Sequence, residues 1–160
     1  MNAFATSVMS SKKWDQEGEP IRERLFESCD MERALVVDDE AAIVKLFGKI
    51  IAMEIPGLKV DLASNGLEAV DSFRSRHQAV LLMDVNMPVM DGQAAIHEIE
   101  KMCKEKQWNM PAVVFCTGYA PPDLVKEVVG GGSRHGLLLK PPSYEAVVAA
   151  VRQRLYQAVA

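Results

Sequence analysis

Three features of the chain predict an α/β fold built on a doubly wound, five-stranded parallel sheet with helices on both faces. Short apolar runs alternate five times with segments of helical periodicity. The first run, 34–37, is apolar without alternating, as a strand covered on both faces must be, whereas 58–62 alternates. Four of the five end in a polar residue of definite chemistry, at the strand ends where such sheets bind ligands.

The elements follow in order from position 31. Residues 34–37 (ALVV) read as the first strand, and residues from 39 to about 54 as a helix with Ile43, Leu46, Phe47, Ile50 and Ile51 at helical spacing, stopped by Pro56-Gly57. Residues 58–62 form a shorter strand, and Asn65 is placed to cap a helix carrying Leu67, Val70 and Phe73. Residues 79–83 are the third strand, ending at Asp84; a loop through Pro88 and Gly92 leads into a helix with Ile96, Ile99 and Cys103. Residues 112–116 are a fourth strand ending at Thr117, and a short helix around 122–129 stops in Gly130-Gly131-Gly132. Residues 135–139 are the fifth strand, ending at Lys140, and Ser143 caps a last helix through Val147, Val148, Val151 and Leu155. Connections of this length imply right-handed crossovers. The preceding 1–30 segment is polar and reads as an N-terminal tail, with 21–29 (IRERLFESC) able to form a short helix placing Ile21, Leu25 and Phe26 on one side. That stripe suits docking on the domain or a dimer contact, and is equally consistent with neither.

Composition excludes several function classes. The net charge of −4 provides no basic footprint for nucleic acid. No apolar run reaches the roughly 18 residues of a membrane span, and the N-terminus lacks a secretory signal, so a cytoplasmic location is expected. Cys29, Cys103 and Cys116 are odd in number and widely spaced, which indicates neither a disulfide framework nor a zinc site. Cys103 and Cys116 read as packed thiols. His77, His97 and His135 share no metal spacing and read as surface or structural residues; Met83, Met87 and Met90 read as packing, and Lys101, Lys104 and Lys106 as cations at a helix C-terminus.

The chemistry lies at the strand ends: Asp38-Asp39 after strand one, Asp84 after three, Thr117 after four and Lys140 after five. In a parallel sheet they converge on one edge. Three close carboxylates raise one another's pKa values unless a cation sits among them, and few hard oxygen ligands suit Mg²⁺. Asp84 is then the candidate nucleophile, since a carboxylate can attack phosphorus and form a mixed anhydride. Mg²⁺ would be held by Asp39, Asp84 and the backbone carbonyl of Asn86, with Asp38 acting directly or through water. Lys140 would meet one phosphoryl oxygen and the Thr117 hydroxyl another. A phosphatase using an Asp-x-Asp motif is disfavoured, because the residue two beyond Asp84 is Asn86.

LVVDDE (35–40), LLMDVNMPVMDG (81–92), VVFCTG (113–118) and LLLKPP (137–142) resemble the receiver domain of two-component response regulators, over about 33–155. The resemblance implies a flavodoxin-like fold with strand order 2-1-3-4-5 in a receiver spanning 31–160. It implies that Asp84 accepts phosphate from a histidine kinase or histidine phosphotransfer protein, that Asp38 and Asp39 are the acidic pair, and that Thr117 and Lys140 are the switch hydroxyl and phosphate-contacting lysine. It also implies a module that signals to a downstream protein without being an enzyme beyond its own phosphorylation and dephosphorylation, and a cis Lys140–Pro141 peptide. Asn86 and Tyr119 fall at the positions flanking the path of hydrolytic water, so an inward Tyr119 ring would shield the phosphoryl group. Three departures bear on output: Leu137 stands where the family usually has an aromatic, the glycine run 130–132 is expected to be pliable, and Pro142 replaces a common hydrophobic residue. A receiver cut from a longer regulator or hybrid kinase, and a phosphorylation-independent scaffold, are the alternatives.

Overall fold

The computed structural model describes residues 29–130 and 134–159. The proposed helix at 21–29, apart from Cys29, and the glycines at 131 and 132 lie outside the described residues. The elements are β1 (Asp30–Val37), α1 (Ala41–Glu54), β2 (Lys59–Ala63), α2 (Gly66–Arg76), β3 (Gln78–Asp84), α3 (Gly92–Lys106), β4 (Ala112–Thr117), α4 (Pro122–Gly130), β5 (Gly136–Leu139) and α5 (Tyr144–Val159). The strands form one sheet in the order β2-β1-β3-β4-β5, every pair parallel. This is the flavodoxin-like order implied by the resemblance.

The two faces of the sheet separate the core into two layers, because successive strand residues point to opposite sides. Leu35, Val37, Leu81, Met83, Val113 and Phe115 pack with Phe73 of α2, Ile96 and Ile99 of α3 and Leu124 of α4. Ala34, Val36, Val80, Leu82, Val114 and Cys116 pack with Phe47 and Ile51 of α1 and Val147 and Val151 of α5. Every residue of β3 and β4 is buried, which accounts for the unbroken apolar runs 79–83 and 112–116 within them. Truncating a side chain there, such as fully buried Leu81, is expected to remove about 2–5 kcal/mol of stability.

The helix starts are fixed by side chains as the sequence suggests. The Glu68 amide donates to Asn65 Oδ1 at 2.9 Å and the Ala146 amide to Ser143 Oγ at 3.1 Å. Asp91 serves α3 in the same way, taking the Ala94 amide at 2.8 Å. Strand ends shift by single residues, and two element starts differ from the sequence reading by two residues or more. α1 begins at Ala41 rather than 39, because Asp38 Oδ1 accepts the Glu40 amide at 2.9 Å and holds the intervening turn out of the helix. β1 begins at Asp30, ahead of the apolar run, with Asp30 paired to Gln78 and the Arg33 guanidinium reaching Asp61 on β2 at 3.1 Å.

Candidate functional site

Register places the polar strand ends at one edge. Val37 is level with both Ala63 and Met83, so Asp38 and Asp84 each extend one residue beyond the same rung. Asp84 is level with Cys116, and Thr117 with Leu139, which puts Lys140 just past the adjacent strand end. The structure thereby brings together Asp38, Asp39, Asp84, Thr117 and Lys140. One carboxylate oxygen from each of the three aspartates lies within 4.8 Å of the others. Asp38 and Asp84 are buried and Asp39 is exposed, which leaves the cluster open to solvent on one side.

Lys140 Nζ binds Asp38 Oδ2 at 2.8 Å and Asp84 Oδ1 at 3.4 Å. The lysine therefore leans toward the acidic pair more than toward the central carboxylate. Burial pushes the Asp84 carboxyl up from its ordinary value and the Asp38 charge adds to this, while Lys140 pulls part of the way back. Burial alone would push the Lys140 ammonium down, but its contacts with Asp38 and Asp84 outweigh that and hold its pKa above the usual lysine value. The cation stays charged. The Lys140–Pro141 peptide is cis, in agreement with the resemblance.

Backbone packing fixes where Asp84 sits. Gly92 opens α3 directly against β3, its amide donating to Val85 O at 2.9 Å. A Cβ at this position would overlap the backbone oxygen of Asp84 and come within 2.9 Å of Met83 Cγ, so glycine is required for this close approach. The loop between them is tied to α2 as well, through the Gly66 amide and Met90 O at 2.9 Å. Gly66 is a site determinant the sequence reading missed, since a glycine after a cap residue carries no distinctive signal until the loop is seen against it.

Thr117 is fully buried, and its hydroxyl donates to the Tyr119 carbonyl oxygen at 3.0 Å. Tyr119, whose carbonyl takes that hydrogen bond, is 69% exposed. Leu137 is half-buried in β5 against the core rather than free at the surface. Asn86 lies exposed in the turn after β3. Beside Lys140, an open groove of about 560 Å³ runs between α1 and the start of α5, lined by Ile43, Leu46, Phe47, Pro141, Pro142 and Tyr144.

A flavodoxin-like α/β domain with an acidic hollow and one lysine at the C-terminal strand ends defines a class of signalling module. The family model for the response regulator receiver domain matches residues 34–152, and the chain belongs to that family, the receivers of two-component signalling. It is 27% identical over 123 residues to the chemotaxis protein CheY of Bacillus subtilis, covering 77% of this chain and 97% of that protein. It is 44% identical over 72 residues to a protein-glutamate methylesterase/protein-glutamine glutaminase of Aliivibrio fischeri, covering 44% of this chain and 19% of that protein. The chain thus spans about a fifth of the length of such methylesterases. Among solved structures, a CheX–CheY–BeF3–Mg complex from Borrelia burgdorferi aligns with TM-score 0.62 and 26% identity, over 74% of this chain and 85% of that one. A CheY-like receiver from Methanospirillum hungatei aligns with TM-score 0.65 at 22% identity, over 81% and 97%, and supports the fold. Among the described residues no helix is long and apolar enough to cross a membrane.

Proposed function

We propose that the chain takes a phosphoryl group onto Asp84 from a histidine kinase or histidine phosphotransfer protein and signals by changing its contacts with a downstream protein. The observation that supports this best is the position of Asp84: buried at the end of the central strand, beside two further carboxylates and 3.4 Å from the Lys140 ammonium. In the transfer, an Asp84 oxygen forms a bond to phosphorus as the bond from phosphorus to the donor imidazole nitrogen breaks. The imidazole leaves with the electron pair and the product is an acyl phosphate. Lys140 faces the developing phosphoryl charge, which requires it to loosen its 2.8 Å contact with Asp38. Thr117 must likewise turn its hydroxyl from the Tyr119 carbonyl to reach a phosphoryl oxygen, so the loop after β4 is the first segment to register the change.

The donor set fits Mg²⁺: three carboxylates within 4.8 Å, one exposed, with room for water. Asp38, Asp39, Asp84 and the Asn86 carbonyl would hold the ion, and it would supply charge neutralisation for the transferring group. The Borrelia burgdorferi CheY complex, whose name includes Mg²⁺ and BeF3, is consistent with such a site. The apolar groove adjoining Lys140 is the surface on which the donor protein would dock in this reading. Acetyl phosphate with Mg²⁺ tests the reading. Intact mass should rise by one phosphoryl group in the native chain and not in Asp84→Asn. Equal modification of that variant, or none of the native chain, would support the scaffold alternative or a different acceptor.

A further inference from the structure

At the opposite edge of the sheet, two thiols from distant parts of the sequence share one acceptor. The Cys29 thiol donates to Asn109 O at 3.3 Å, and the Cys103 thiol, on α3, points to the same oxygen at 3.7 Å. Both sulfurs therefore sit at one spot where the segment entering β1, the end of α3 and the loop before β4 meet. Cys103 is buried in the core and Cys29 is half-buried at its margin, so Cys29 is the more accessible residue of the two. A cation is present as well: Arg134 donates to Met110 O at 3.3 Å, one residue beyond the shared carbonyl, and its charge draws both thiol pKa values downward. Cys116, the third cysteine, is buried on the other face of the sheet among α1 and α5 side chains.

We infer that Cys29 and Cys103 form an intramolecular disulfide when the protein meets a peroxide. The Cys29 thiolate attacks the peroxide, the O–O bond breaks, and sulfenic acid forms as one oxygen leaves as hydroxide. The Cys103 sulfur then attacks the sulfenic sulfur, the S–S bond forms and the S–O bond breaks, releasing water after proton transfer. Two electrons leave the sulfur pair and the peroxide is reduced to water. The bond would fasten the segment ahead of β1 to the C-terminal half of α3. Burial pushes both thiols up to about 11, so few are ionised at neutral pH. The reaction is accordingly slow at pH 7, and its rate rises by about tenfold per pH unit as thiolate accumulates.

The test uses the full chain and hydrogen peroxide, followed by intact mass and a non-reducing peptide map. The expected result is loss of two hydrogen atoms, with residues 29 and 103 in one cross-linked peptide. The loss should be abolished in Cys29→Ser and Cys103→Ala and retained in Cys116→Ala. Because Cys29 is only half-buried, Cys29→Ser is the variant that keeps its fold and decides the matter. Arg134→Ala should slow the reaction, and Asp84→Asn should leave it unchanged, which separates this site from the phosphoryl site. Oxygen added to Cys29 without hydrogen loss, or hydrogen loss persisting in Cys29→Ser, would overturn the inference.

Discussion

Gly92→Ala and Gly118→Ala make the same chemical change at opposite ends of the expected response. At Gly92 the new methyl would overlap the backbone oxygen of Asp84 and crowd its carbonyl carbon at 3.1 Å. Neither neighbour can yield, because both belong to β3, whose residues are all buried. Relief requires pulling the start of α3 off β3, which breaks the 2.9 Å hydrogen bond from the Gly92 amide to Val85 O. Losing that bond costs about 0.5–1.5 kcal/mol and overpacking about 1–3, offset by about 0.4–1 from a stiffer unfolded chain, a net loss centred on about 2 kcal/mol. With a urea slope of about 1–3 kcal/mol/M, the midpoint should fall by roughly 1 M with the slope unchanged. Gly118 has nothing within 4 Å of its added methyl, so Gly118→Ala should leave the midpoint the same or raise it slightly. Equilibrium urea unfolding of the two variants measures both. A Gly92→Ala midpoint matching that of Gly118→Ala would refute the claim that α3 is pressed onto Asp84.

Three further outcomes follow. Asp39→Ala should weaken Mg²⁺ binding by at least about tenfold in a fluorescence or calorimetric titration, because a small hard ion with few protein ligands loses much with one carboxylate; an unchanged titration would remove Asp39 from the site. Tyr119→Ala should leave the decay rate of the phosphorylated protein unchanged, since the residue is largely exposed; faster decay would show that it closes over the site after phosphorylation. His135 Nδ1 accepts the Val113 amide at 3.1 Å, and burial, with Arg134 and Arg154 nearby, pushes its pKa below 6.5. The folded state thus resists a proton that the unfolded chain accepts near 6.5, so stability present above that pH is lost as pH falls below it. Thermal melts from pH 7 to 5 should show a slope that His135→Gln reduces; an identical slope would assign it to other groups.

The sheet and the site were legible in the sequence for the same reason: parallel strands buried on both faces leave unbroken apolar runs, and the polar residue ending each run is then conspicuous. Asp38, Asp84, Thr117 and Lys140 could be gathered at one edge without coordinates because the chain direction alone brings parallel strand ends together. What stayed hidden depends on side-chain direction or on strand neighbours. The inward or outward choice at Tyr119 turns on a loop conformation that no periodicity encodes. The preference of Lys140 for Asp38 over Asp84 is a difference between 2.8 and 3.4 Å, which residue type does not determine. Asp61 illustrates the second kind: Arg33, Arg76 and Gln78 all donate to it, and Gln78 is fully buried within β3. Those residues become partners once β1 is known to lie between β2 and β3, and nothing local in the sequence marks them as a group. The Cys29 and Cys103 thiols are hidden in the same way, separated along the chain and joined by the Asn109 carbonyl.

The most direct test of the account is to locate the acyl phosphate itself. The protein is phosphorylated with acetyl phosphate and Mg²⁺, then reduced with borohydride, which converts an aspartyl phosphate to homoserine at the modified position. Peptide mapping should find homoserine at position 84, and at neither 38 nor 39, because Asp84 alone of the three both ends the central strand and faces the Lys140 ammonium from beneath α3. Homoserine at position 38 or 39, or its absence everywhere from protein that has gained phosphoryl mass, would contradict the assignment of Asp84 as the acceptor.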